Sequence, residues 1–151
     1  MSDDRTYVEE NASELERMRA LVSGLSDQQL GGRVDDNWTV AGILGHIAFW
    51  DGRVLALAEK LERGVPFSPS DNEPEDVDWI NDAARPLILS VEPRRLADLA
   101  LRTAEETDRK VAALPPERMW PADPASPTNS FRATHRGEHL DQIEAAVRPK
   151  R

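Results

Sequence analysis

The stretch Phe131–Val147, FRATHRGEHLDQIEAAV, decides how the chain is read. His135 and His139 stand four residues apart in it, about one helical turn, so on a helix both imidazoles leave the same face. The third and last histidine of the chain, His46, lies far away in TVAGILGHIAFWDGRVLALAEKL, Thr39–Leu61, a second stretch with helical spacing. Every histidine therefore falls on a candidate amphipathic helix and none in a polar loop. Two imidazoles from one helix and one from a facing helix are a natural way to hold a metal ion between packed helices. The remainder of the chain reads as the scaffold that brings His46 to the other two.

Working outward, the first long helix is expected over Thr6–Ser23, with Val8, Ala12, Leu15, Met18 and Val22 at helical spacing and acids in its first turns. Gly24 suits its end, and Ser26 with Gln29 has capping-box spacing for one further turn. The second long helix starts at Thr39 as N-cap and runs to about Arg63, stopped by Gly64. His46 lies at one edge of its apolar stripe, and Asp51 near the middle. A core-facing acid is costly unless it is paired, hydrogen-bonded or close to a metal, so Asp51 pairs with an arginine, faces a solvent gap, or serves the histidines. The polar, proline-bearing stretch 65–78 is a long connection, followed by a short helix towards Leu89 that Pro86 interrupts. Glu92-Pro93 opens the third long helix, which reaches Leu114 and stops at Pro115-Pro116. Residues 116–128 hold four prolines and read as irregular. The fourth long helix is the opening stretch. With no strand-like alternation, four such helices predict an all-α four-helix bundle, one domain over 1–151, with long connections after helices two and three. Simple up-down-up-down order is not required.

Composition narrows the function. The net charge of −9 over 151 residues argues against nucleic acid, which calls for a basic patch; the only basic cluster is Arg148–Arg151. No apolar run approaches the roughly 20 residues of a membrane span, and the acidic N-terminus lacks the apolar core of a signal peptide. A cytoplasmic protein with a small-molecule substrate is the expectation. There is no cysteine, so a metal would be held by nitrogen and oxygen ligands alone.

Trp38-Thr39, then Gly45-His46-Ile47-Ala48-Phe49-Trp50-Asp51, then His135-x-x-x-His139, with Asn81–Arg85 ahead of the third long helix, resembles the DinB-like four-helix bundle proteins. The resemblance covers nearly the whole chain. It implies a four-helix bundle, commonly a homodimer, with a divalent metal, often nickel or zinc, bound by His46, His135 and His139. Some relatives are thiol-dependent transferases or isomerases that use a low-molecular-weight thiol such as mycothiol or bacillithiol. The absence of cysteine suits a nucleophile supplied from outside. Three imidazoles leave positions for water or substrate, so a metal there can acidify water towards pKa ~7 or take up a thiol as thiolate.

With all three histidines as ligands, Glu138 and Asp51 become the candidate acid–base groups. Gln142, one turn past His139, is a candidate partner for a ligand ring N–H, as are Asp51 and Glu138. Trp50, one turn from His46, is the tryptophan expected to wall a binding pocket. Gly137 is expected at a close helix approach. Two other readings stay open: a metal- or small-molecule-binding stress-response protein without catalysis, and a bundle whose histidines are hydrogen-bonded core residues and whose role is assembly.

Overall fold

A computed structural model describes residues 5–71, 77–121 and 126–149. It is all helix apart from connections: α1 Thr6–Ser23, α2 Asp27–Leu30, α3 Val40–Glu62, α4 Val77–Leu89, α5 Pro93–Ala113 and α6 Arg132–Val147, with single 3-10 turns at Pro69–Asp71 and Pro116–Arg118. The four long helices, α1, α3, α5 and α6, form the predicted bundle. α3 packs on α5 and α6, and α1 packs on the same two. α1 thus lies across the bundle from α3, and α5 from α6. Consecutive long helices are not all neighbours: α3 and α5, joined through α4, pack together, whereas α1 and α3, and α5 and α6, stand across the bundle from each other.

The helix ends follow local chemistry. Ser26 accepts from Gln29 N–H while the Gln29 side chain accepts from Ser26 N–H, a closed capping box. Thr39 Oγ1 accepts from Gly42 N–H and starts α3. Glu92 caps α5 by accepting from the N–H groups of Arg94 and Arg95. Gly64, just past α3, has φ +85°, a conformation that a Cβ would strain. Pro86 sits inside α4 without breaking it, contrary to the expected interruption. The predicted polar connections are present where described; residues 72–76 and 122–125 of those stretches lie outside the described residues.

The core is divided along the bundle axis. One apolar cluster joins Leu15, Met18 and Val22 of α1 to residues 40–48 of α3, Leu96–Ala104 of α5, and Leu140 and Ile143 of α6. A second joins Tyr7 to Val54–Leu61 of α3, Val111, Leu114 and Trp120. Between them, at the same level on all four long helices, lie the buried polar side chains Asn11, Asp51, Thr107, Arg132 and Arg136. α3 meets the length and apolarity of a membrane span, which no run of the bare sequence was expected to do, but 72% of its apolar window is buried inside the bundle, as in a core helix.

α4 lies against the first half of α3 because two glycines leave room for it. A Cβ on Gly45 would meet Ile88 Cγ2 at 2.6 Å and Leu96 Cδ2 at 2.9 Å, and one on Gly42 would meet Leu89 Cδ2 at 2.8 Å. Gly137 is different: a Cβ there would meet only the Glu14 carboxylate at 3.7 Å and Arg17 Nη1 at 3.9 Å, ordinary contacts, so close packing does not explain it.

Candidate metal centre

α3 and α6 pack side by side, and this brings the three histidines together. His46 and His139 ring centroids are 4.6 Å apart, His135 and His139 4.6 Å, and His46 and His135 5.3 Å. One nitrogen from each ring lies within 4.8 Å of the others. Three donors around a tetrahedral zinc ion at ~2.0–2.1 Å stand roughly 3.4 Å apart, so small ring rotations would complete such a geometry.

The electrostatics also suit a cation's ligands. Burial, then the neighbouring His139 and Arg132, holds His46 down at a pKa of about 4. His135 is pushed well below the usual imidazole value by burial and then by Arg132. His139 is lowered by burial, although Gln142 and Glu138 pull it the other way. At neutral pH all three rings are neutral, the form that ligates a metal. The residues present therefore fit a divalent metal that accepts imidazole, such as zinc, nickel or cobalt.

Partners of the free ring nitrogens follow. His139 Nδ1 and Gln142 Oε1 are 2.6 Å apart, which puts the hydrogen on Nδ1 and leaves Nε2 as the ligating atom. Arg132 Nη2 stands 3.3 Å from His135 Nδ1. An arginine N–H only donates, so Nδ1 is the acceptor in that contact, and ligation by either nitrogen of His135 would release Arg132 from it.

Asp51 does not reach the histidines. Its Oδ1 accepts from Arg132 Nε at 2.8 Å and its Oδ2 from Arg136 Nε at 2.9 Å, and its side chain is 0% exposed. Of the alternatives for this acid, arginine pairing is the one found. Arg136 continues into Asp108 with a two-pronged contact at 2.8 and 3.0 Å. Burial opposes the charge of Arg136, but Asp51 and Asp108 more than restore it; burial raises Asp108, with Arg136 opposing. Two acids and two arginines make a neutral buried set. Arg132, Arg136 and Asp108 were not singled out from the sequence. The readable signal was an acid in an apolar stripe, with two arginines one turn apart on the histidine-bearing helix.

Two cavities flank the histidines. One of about 460 Å³ is walled by Trp38, His46, Arg85, His139 and Gln142, among others. The other, about 340 Å³, includes Arg132, Thr134, His135 and Glu138 in its lining. Glu138 is exposed there. Trp50, expected as the pocket wall, is only 2% exposed, and its indole N–H donates to Asn81 Oδ1 at 2.8 Å. Trp38 takes that place instead, its ring 5.5 Å from His46.

Comparison with known proteins gives one match. No curated protein and no solved structure matches the chain. The family model of the DinB superfamily matches residues 12–143, a span that includes all three histidines, the whole of α3 and α5 and most of α1 and α6. The helical bundle, the histidine cluster between α3 and α6, and a match over most of the length lead to one conclusion: the chain belongs to the DinB superfamily.

Proposed function

We propose that the protein binds one divalent metal ion, nickel or zinc, through His46, His135 and His139, and acts there as a thiol-dependent transferase or isomerase on a small electrophile. One observation carries this reading: three neutral imidazoles, from two helices, converge beside a cavity large enough for a small molecule. A metal in such a site lowers the pKa of a thiol or water that joins it.

The chain's own residues do the rest. Gln142 fixes the ring of His139. Trp38 and Ile43 give the cavity an apolar wall. Glu138 is the acid placed to exchange a proton with a ligand beside His135, whereas both oxygens of Asp51 are held by arginines. With no cysteine in the chain, the sulfur comes from a low-molecular-weight thiol cosubstrate. A cytoplasmic homodimer belongs to the same proposal. The withdrawal of Asp51 favours a second reading, a metal- or small-molecule-binding protein without turnover, because of the two carboxylates expected to move protons only Glu138 stays free of buried arginine partners.

The test is elemental analysis of untagged protein purified without chelators. About one metal per chain is expected in the parent and in Glu16→Ala, which changes an exposed residue paired with Arg19, and almost none in His135→Ala. Equal metal in parent and His135→Ala, or none in either after zinc or nickel is added, would remove the site. Turnover of thiol and electrophile pairs by the loaded protein then separates the two readings.

A further inference from the structure

Among the described residues, one buried side-chain polar atom has no hydrogen-bond partner: Nε of Arg85. Folded proteins rarely leave a buried N–H unmet, and a guanidinium N–H least of all. The position of this one is informative. Arg85 projects from α4 into the cavity of about 460 Å³ that His46 and His139 also line. It is not a loose surface chain. Its Cζ sits 5.3 Å from the centre of the Trp38 ring, and its Nη2 donates to Asp82 Oδ1 at 2.6 Å. Trp38 is in turn held by Asp35, whose Oδ1 accepts from the N–H groups of Asn37 and Trp38. The side chain of Asp82 is 65% exposed, so water screens that pair and leaves much of the guanidinium's binding capacity free.

A guanidinium that lies over a ring, lines a cavity and has hydrogen-bonding capacity left over suits the way arginine receives a carboxylate. We propose that Arg85 binds the carboxylate of the small molecule whose other end reaches the three histidines. This rests on the metal-site reading above and names the class of molecule it serves. Among the described residues that line the cavity Arg85 is the only lysine or arginine, and Asp35, Asp78 and Asp82 line it too. With a divalent metal on the histidines, its charge and that of Arg85 offset the three aspartates, which suits one carboxylate with a neutral or cationic remainder better than a phosphate dianion. Asn37, Asn81 and Gln142 add amide groups for a polar remainder, as an amino acid or a thiol-bearing acid would present.

The test follows the Arg85 Nε–H resonance by proton–nitrogen NMR, assigned through its loss in Arg85→Gln. Zinc-loaded protein is titrated with mercaptopropionate, with mercaptoethanol, which lacks the carboxylate, and with inorganic phosphate. Mercaptopropionate is expected to shift the resonance and to bind at least about tenfold more tightly than mercaptoethanol. Arg85→Gln should keep its zinc and lose that preference. No shift with mercaptopropionate, an equal shift with phosphate, or an unchanged preference in Arg85→Gln would overturn the proposal. If the protein takes up no zinc, the metal reading fails separately. The carboxylate site is then read in the metal-free protein with L-alanine: a shift upholds it, and none overturns it.

Discussion

α6 carries two polar clusters that differ in one respect. Arg132 and Arg136 point into the bundle and meet Asp51, Asp108 and Asn11, so that strong donors and acceptors there answer one another. His135 and His139, on the adjoining face, meet His46, and none of the three rings supplies the opposite charge. The first cluster is closed: its charges cancel and its hydrogen bonds are used. The second is open: three imidazoles converge on one spot, each kept neutral by burial, with no charge among them to answer. A polar cluster that satisfies itself holds a fold together, and one that does not has capacity left for a ligand.

Removing a member should affect the two clusters differently. Asp51→Ala strands Arg132 in the core, because Arg136 keeps Asp108 and Arg132 has no second acid among the described residues. A loss of about 3–5 kcal/mol in urea unfolding is expected, and a loss under about 1 kcal/mol would mean that the closed cluster is not what holds the four helices at this level.

The open cluster should show itself by pH instead. In metal-free protein His46 titrates at about 4 when folded and near 6.5 when unfolded. The unfolded chain therefore takes up a proton that the folded chain refuses, and stability is lost as pH falls from about 6.5 to about 4 and is full above that window. The size is on the order of 3 kcal/mol for this group, with His135 and His139 adding in the same direction. A flat unfolding free energy between those pH values would show the rings are not neutral by burial.

Gln142→Leu takes the acceptor from His139 Nδ1 and should weaken metal binding about 10–100-fold by competition with a chelator, with little change in metal-free stability. Unchanged affinity would place the orientation of His139 elsewhere. At the small end, Arg17 bridges α1 to Asp141 and Glu144 of α6 in a half-exposed setting. Arg17→Ala should cost no more than about 1 kcal/mol in the same urea titration, a loss that salt reduces.

What could be read beforehand was mostly short-range. The caps at Ser26, Thr39 and Glu92 and the spacing of His135 and His139 depend on residues within one turn, so the sequence displays them directly. The apolar stripe of α3 showed which face is buried but not which helix covers it, and the placement of α1 across from α3 came only with the structure. For the same reason Asp51 was recognisable as a buried acid in need of a partner, while the identity of that partner, 81 and 85 residues away, was not. Trp50, one turn from His46 on the same helix, was the expected pocket wall, and Trp38 holds that place instead. The choice between them turned on α4, whose Asn81 ties Trp50 into the core and whose Arg85 covers Trp38. Pro86 was read as a break because proline removes one helical N–H, yet α4 continues through it to Leu89.

The long separations in the polar layer also bear on the order of events during synthesis. Asn11 meets Ser130 and Ala133, and Asp51 meets Arg132 and Arg136, so every one of these bonds waits for α6. Until that helix leaves the ribosome, the Asp51 carboxylate in the apolar stripe of α3 lacks the two arginines that meet it in the fold. The last long helix to be made supplies partners to both the polar layer and the histidine cluster.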